Sequence, residues 1–286
     1  MTSALFRVLR PHQWSKNLLL LVPVVTAHEW RNPDALMAVI LGIAAFCLAA
    51  SSTYVLNDYM DCEQDRQHPT KQNRPFASGS LKPGNAFWLI PLLALTAVAI
   101  GWFVNALFLE SLLAYLGLSW AYCLVLKNSI WLDALALASL YTLRVVAGAF
   151  AIQVEPSAWL LGFSVFLFFS LTVLKRLQEY SHPEWLDISR PYTAQDRPLV
   201  LAMGVAAGVS SVLVLALYLN SDDMRILYHR PAWLWLLCPM LLYWLARVWT
   251  LANRGTLNAD PVLFALRDRV SWLLAVLGAA CIYLAT

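Results

Sequence analysis

The chain has 286 residues, of which 60% are hydrophobic and only 13% charged, with a mean hydropathy of +0.62. Soluble domains carry about a quarter of their residues as charges, so the composition excludes one and specifies an all-α polytopic membrane protein. A formal net charge of +3 points to no nucleic-acid partner and makes the placement of the charges more informative than their total.

A hydrocarbon core of ~30 Å needs ~20 apolar residues per helix. Nine segments are candidates: 17–29, 35–57, 85–104, 107–126, 130–152, 157–177, 198–219, 232–252 and 270–285. The first is short and interrupted by Pro23, which reads as a partly broken helix. No Ala-x-Ala cleavage site follows it, and Arg7, Arg10 and Lys16 lie beside an amphipathic start rather than a signal peptide. With the N-terminus cytoplasmic, sixteen of the twenty basic residues fall in inside segments, which predicts an N-in, C-out topology with nine spans. The two longest connections, 58–84 and 178–197, then both face the cytoplasm, where nucleotides, phosphosugars and Mg²⁺ are available. The chain reads as a single membrane domain over 1–286. Its five cysteines form no C-x-x-C pair and read as small packing residues.

The second span ends in Asn57-Asp58-Tyr59-Met60-Asp61-Cys62-Glu63-Gln64-Asp65, an N-D-x-x-D-x-x-x-D pattern. Continued at ~100° per residue, the helix puts Asn57, Asp58, Asp61 and Asp65 within about one quadrant, with Glu63 on another side. A solvated acidic helix end is the plain alternative. Three carboxylates and an amide at a membrane boundary repel one another without a cation, and Mg²⁺ prefers oxygen ligands shared with substrate phosphates. Asp58, Asp61 and Asp65 are therefore the expected metal ligands and catalytic residues. Prolines and a glycine shape the following connection, in which Arg66, Lys71 and Arg74 are expected to reach the outer oxygens of a metal-bound diphosphate. Lys82 reads mainly as a topology residue.

The sixth span ends differently. Thr172, Lys175, Arg176 and Glu179 share a helical face that is predominantly cationic, and Lys175 and Arg176 are candidates for holding a substrate phosphate, with Lys175 counted among the catalytic residues. A snorkelling basic helix end is the competing reading. Downstream, Arg190, Tyr192, Thr193, Asp196 and Arg197 form a polar loop, with Tyr192 counted among the substrate-binding residues.

Asp133 and Arg144 are intramembrane charges, eleven residues and so ~16 Å apart along one helix, and cannot pair directly. Asp133 is placed to face the metal site, whereas Arg144 reads as a tie between helices through backbone carbonyls or a polar side chain. His12, Lys16 and Asn17, before the first span, are candidates for an anionic lipid head group. Asp260 reads as the N-cap of a short helix carrying Arg267, Asp268 and Arg269.

The motif at 57–65, followed by R-P-F-A-S-G at 74–79 in a chain of nine spans, resembles the UbiA superfamily of intramembrane prenyltransferases. The resemblance implies a helical bundle around a central cavity open to lipid, with Mg²⁺ at cytoplasmic acidic motifs. Asn57, Asp58, Asp61 and Asp65 map onto the first of these. Members using a prenyl diphosphate normally carry a second, D-x-x-x-D-like motif at the end of the sixth span, where this chain has Leu171-Thr172-Val173-Leu174-Lys175-Arg176. Together with H-P-T-K at 68–71, that departure resembles the decaprenyl-phosphate phosphoribosyltransferase branch. The branch implies phosphoribosyl pyrophosphate as donor, a polyprenyl phosphate as acceptor, and a product that feeds cell-envelope glycans, at a bacterial cytoplasmic membrane; an oligomer is compatible with it.

Two other readings stay open. Glu179, Glu184 and Asp187 would supply late carboxylates for a prenyltransferase that joins a polyprenyl diphosphate to an aromatic acceptor. A transporter or a non-catalytic membrane protein is the other; a transporter would also place charges at helix ends, but no inverted repeat is apparent.

Overall fold

The computed structural model describes residues 2–286 except 69–70, 182–191, 222–223, 225–227 and 258–260, with backbone alone at 2–3, 179–181, 194 and 262–263. The described residues are helical, without strands, and form two compact units, Met1–Pro156 and Ser157–Thr286.

The first unit begins with α1 (Thr2–Leu9), a 3-10 segment Pro11–Leu21 and α2 (Val22–Thr26). It continues with α3 (Pro33–Met60), α4 (Cys62–Gln67), α5 (Gly84–Val104), α6 (Ala106–Leu124) and α7 (Leu132–Ala151). Asn32 starts α3: its side-chain oxygen accepts from the N–H groups of Asp34 and Ala35 at 3.0 and 3.3 Å, with Pro33 at the first helical position. Asn105 starts α6 in the same way, accepting from the Phe108 N–H at 2.8 Å, while its amide donates to the Phe150 carbonyl at the end of α7.

Lipid tails are as apolar as the helices, so close packing of small side chains, rather than exclusion from water, holds these helices together. Ala45, Ala49, Ala97, Ala147 and Ala151 are buried among Phe46, Phe108, Leu112 and Tyr115. Phe46 meets Phe108 edge-on, with ring centroids 5.9 Å apart, and Tyr115 at 4.9 Å. The closest approach is at Gly148 of α7, where an added Cβ would overlap the Leu20 carbonyl of the 3-10 segment. The first expected span is thus broken, as Pro23 indicates, and more thoroughly than expected. Its first five residues, 17–21, complete an 11-residue 3-10 segment, Pro11–Leu21, a long run for that geometry.

The second unit contains α8 (Ala158–Ser181), α9 (Arg197–Leu219), a 3-10 turn Pro231–Leu236 leading into α10 (Leu237–Asn253), α11 (Pro261–Arg267) and α12 (Arg269–Ala285). Ser170 of α8 donates to the Gly204 carbonyl of α9 at 2.7 Å and accepts from the Trp249 indole of α10 at 3.1 Å, so one hydroxyl joins three helices. Asp268, which the sequence reading did not single out as a cap, starts α12 by accepting from the Ser271 N–H. It also receives the Arg247 guanidinium as a two-bond fork, at 2.8 and 2.9 Å. That fork and the Ser271 bonds push the Asp268 carboxyl down to about 2. Asp260 lies outside the described residues.

Among the described residues, seven helices are long and apolar enough to cross a membrane, and α12 adds a shorter apolar one of 17 residues. Each overlaps one of the expected segments, and seven of the nine expected segments hold a helix long enough to cross. The chain is a multi-pass membrane protein.

Gly148→Ala is expected to destabilise the first unit by about 1–3 kcal/mol, the usual cost of overpacking, because backbone rather than a flexible side chain must give way. Gly117, whose Cβ would meet nothing within 4 Å, should accept alanine without loss. Thermal unfolding of the two variants in detergent makes the comparison.

Candidate active site at the acidic end of α3

The apolar run of α3 ends in Asn57 and Asp58, and the helix does not continue unbroken to Asp65 as the motif's spacing suggests. Asp61 leaves the helix with φ −89° and ψ 5°, and α4 starts at Cys62. Helical hydrogen bonds still bracket this jog: the Asp61 N–H donates to the Asn57 carbonyl at 2.9 Å, and the Asp65 N–H to the Asp61 carbonyl at 2.8 Å.

The consequence is a division of the motif. Asp58 and Asp65, 1% and 2% exposed, share the guanidinium of Arg74, whose Nη1 lies 3.2 Å from Asp58 Oδ1 and 2.7 Å from Asp65 Oδ2. Asp58 Oδ1 also accepts from Arg10. Asp61 is paired separately, with the Asn57 amide on Oδ2 at 2.9 Å and the Lys127 ammonium on Oδ1. Among the described residues, no three acidic, histidine or cysteine side chains gather closely enough to hold a metal as they stand. The mutual repulsion of the carboxylates is relieved by three cations.

The donor set nevertheless suits a hard cation. It consists of three carboxylates and one amide, and the buried Oδ2 of Asp58 has no hydrogen-bond partner. An uncommitted carboxylate oxygen in that position has the chemistry Mg²⁺ takes.

Arg74, expected near the carboxylates, bridges two of them. The loop that delivers it is anchored by Phe76 and Leu81, both 1% exposed, in a cluster with Val8 of α1 and Val55 of α3. The loop reverses at Gly79, whose φ of 74° suits glycine. Arg66 is turned to this loop, donating from Nε to the Ala77 carbonyl at 3.3 Å. Lys71 is half-buried in the short turn Lys71–Asn73, and its N–H donates to His68 Nδ1 at 3.4 Å. Pro69 and Thr70, the middle of H-P-T-K, lie outside the described residues.

Arg10 and Lys127 were read from the sequence only as topology residues. The available signal for Lys127 was its isolation in a short connection, Leu126–Asn128, and for Arg10 its position between an amphipathic helix and Pro11. Arg10 adopts φ 51°, a left-handed turn that a non-glycine residue rarely takes, at the join of α1 to the 3-10 segment.

Asn17, a candidate for lipid head groups, is fully buried. Its oxygen accepts from Arg144 Nε at 2.9 Å and its amide donates to Cys47 Sγ at 3.2 Å, so both ends are committed inside the unit. Lys16 is half-buried with its ammonium 5.6 Å from the centre of the Tyr141 ring, and His12 is exposed. Partial desolvation of its ring, then the neighbouring Arg10 and Lys16, lower the His12 pKa. Asp133 is fully buried, its Oδ1 accepting from the Ala134 N–H at 2.7 Å.

The remaining candidates belong to the second unit. Lys175 is half-buried, Arg176 is 1% exposed and Thr172 is buried on α8, and Tyr192 is half-buried before α9. Glu184, Asp187 and Arg190, and the side chain of Glu179, lie outside the described residues.

Residues 18–274 match the UbiA prenyltransferase family. The chain belongs to that family. It is a transferase, and 35% of residues are identical to nodulation protein NoeC of Azorhizobium caulinodans over 95% of this chain and 89% of that protein. The uncharacterized protein y4nM of Sinorhizobium fredii is also 35% identical over 97% of the chain, which spans about half (55%) of y4nM's length. Decaprenyl-phosphate phosphoribosyltransferase of Mycobacterium tuberculosis is 27% identical over 96% of this chain and 92% of its own. Among solved structures, a UbiA homolog from Archaeoglobus fulgidus bound to GPP and Mg²⁺ superposes with a TM-score of 0.76 at 17% identity, covering 98% of this chain and 99% of that one. These matches bear out the superfamily resemblance and support the phosphoribosyltransferase branch.

Arg74→Met leaves Asp58 and Asp65 short of positive charge in a buried setting, and should cost about 3 kcal/mol of stability. Arg66→Met should cost far less. Unfolding midpoints of the two variants in metal-free buffer test the difference, and equal midpoints would remove Arg74 from its bridging role.

Proposed function

We propose that the protein moves a 5-phosphoribosyl group from phosphoribosyl pyrophosphate to a polyprenyl phosphate, with release of pyrophosphate, in a Mg²⁺-dependent reaction. The membrane is the bacterial cytoplasmic membrane, the site faces the cytoplasm, and the product serves cell-envelope glycan synthesis. The observation that carries this reading is the end of α3: an acidic triad with a vacant buried oxygen on Asp58, ringed by Arg10, Arg74 and Lys127. Support for the branch comes from the relatives of that name and from the end of α8, where Lys175 and Arg176 stand in place of a second acidic motif.

Asp58, Asp61 and Asp65 are the residues that would hold Mg²⁺, with Asn57 positioning Asp61. Bound there, the ion neutralises the diphosphate and stabilises it as a leaving group. Arg10, Arg74 and Lys127 each have a carboxylate as partner before substrate arrives. These cations are the groups that would take the non-bridging phosphate oxygens, with Arg offering a two-bond fork and Lys a point charge. The bond that breaks joins ribose C1 to the pyrophosphate oxygen, which leaves with the electron pair. The bond that forms joins C1 to an oxygen of the lipid phosphate. That nucleophile is already anionic, so no general base is needed. Lys175 and Arg176 hold the 5-phosphate of the donor, with Lys71 and Tyr192 as further polar contacts to substrate.

Asp61 is a better test than Asp58, because Asp58 is a buried partner of two arginines whereas Asp61 is partly exposed. Asp61→Asn should lower turnover at least 10³-fold while the unfolding midpoint stays within a few degrees. The assay is pyrophosphate release that requires both substrates and stops with EDTA. Full activity in Asp61→Asn would end the metal assignment. Lys175→Ala should raise KM for phosphoribosyl pyrophosphate about tenfold and leave that for the lipid unchanged, and equal shifts in both would argue against a donor role.

A further inference from the structure

Ser51 has no part in the acidic motif, yet it lies two turns before Asp58 on the same face of α3, with Tyr54 between them. It is fully buried. A hydroxyl inside a helix usually bonds to the carbonyl one turn back, as Thr53 does, donating to Ala49 at 3.2 Å. Ser51 instead bonds outside its own helix. Its hydroxyl donates to the Leu9 carbonyl at 2.9 Å and accepts from the Trp14 indole N–H at 3.1 Å.

These two bonds straddle Arg10. Leu9 precedes it and Trp14 follows one turn later, so one hydroxyl fixes the chain on both sides of the arginine. Backbone closes the turn between them: the Arg10 N–H donates to the Arg7 carbonyl at 3.3 Å, and the Arg10 carbonyl accepts from the Gln13 N–H at 2.8 Å. Arg10 holds φ 51° and ψ 58° there. A non-glycine residue keeps that left-handed conformation only where the surrounding contacts over-determine it. Leu9 adds packing against the cluster of Val8, Val55 and Phe76.

The turn aims the arginine along α3. Its guanidinium carbon stands 5.3 Å from the centre of the Tyr54 ring, and its Nη2 donates to Asp58 Oδ1. Ser51, Tyr54 and Asp58 thus hold, in turn, the backbone around Arg10, the plane of its guanidinium and its terminal nitrogen. The result is a choice between the two oxygens of one carboxylate. With Arg10 and Arg74 both on Oδ1, the buried Oδ2 of Asp58 is left without a partner. The family match begins only at residue 18, so α3 carries the means of drawing the segment ahead of it into the site.

We propose that Ser51 is a positioning residue for the diphosphate site. Through the Leu9 carbonyl and the Trp14 indole it sets Arg10, which keeps Asp58 Oδ2 open to the metal and presents a guanidinium to a diphosphate oxygen. This deepens the proposed function and rests on its metal-diphosphate site. It does not depend on which group is transferred, because a phosphoribosyl donor and a prenyl donor both release pyrophosphate.

Calorimetric binding of inorganic pyrophosphate with Mg²⁺ to the full-length protein in detergent is the test, with unfolding midpoints read alongside. Ser51→Ala and Arg10→Gln should each lower affinity about tenfold. The double variant should lose no more than Arg10→Gln alone, because residues that act through one group are not additive. Trp14→Phe keeps the ring and removes only the N–H. It should weaken binding in the same direction and add nothing to Arg10→Gln, which keeps the test intact if Ser51→Ala fails to fold. Losses that multiply in the double variants, or a lower midpoint in Ser51→Ala with unchanged affinity, would make Ser51 a packing residue and overturn the proposal. Failure of wild type to bind pyrophosphate would overturn the diphosphate site and the proposal together. The non-additive pattern in a protein that transfers no phosphoribosyl group would support the proposal and overturn the proposed reaction alone.

Discussion

Two carboxylates buried at the end of a membrane helix require compensating positive charge, and the architecture of the first unit follows from supplying it. Asp58 and Asp65 are almost inaccessible, and burying an unpaired carboxylate costs several kcal/mol even after relaxation. The compensation comes from two separate parts of the chain, and a third supplies the cation paired with the less buried Asp61. Arg10 arrives from the N-terminal segment, Arg74 from the loop after α4, and Lys127 from the connection between α6 and α7. The first two are anchored by packing: Val8, close to Arg10, and Phe76, close to Arg74, are packed with Val55. The charge balance and the hydrophobic packing therefore enforce one arrangement.

The same balance has a functional side. Arg10, Arg74 and Lys127 are held where a diphosphate on the acidic motif would need them, and the carboxylates that hold them are the groups a divalent cation would claim. Arg144 differs in having dipoles rather than a carboxylate around it.

Much of this was legible in the sequence because membrane helices announce themselves by length and apolarity. Pro23 marked the broken first segment, and N-D-x-x-D-x-x-x-D marked the acidic end of α3. The division of that motif was not legible. The turn at Asp61 depends on its backbone leaving the helix, and no proline or glycine stands there to signal it. Arg10 and Lys127 were hidden for a different reason. Positive residues near span ends are expected on topological grounds alone, so their pairing with Asp58 and Asp61, 48 and 66 residues away, leaves no local trace. Asn17 reads as a polar residue near an interface, and only the 3-10 winding of Pro11–Leu21 places it inside, against Arg144 and Cys47.

The central claim is tested most directly by the identity of the lipid product. Purified protein would be incubated with Mg²⁺, a polyprenyl phosphate and phosphoribosyl pyrophosphate labelled in the ribose, followed by organic extraction and mass measurement. The account predicts label in the lipid phase, on a species heavier than the acceptor by one phosphoribosyl group, and none when EDTA is present. Label remaining in water, while a polyprenyl diphosphate alkylates an aromatic acceptor under the same conditions, would contradict it and leave the family membership standing alone.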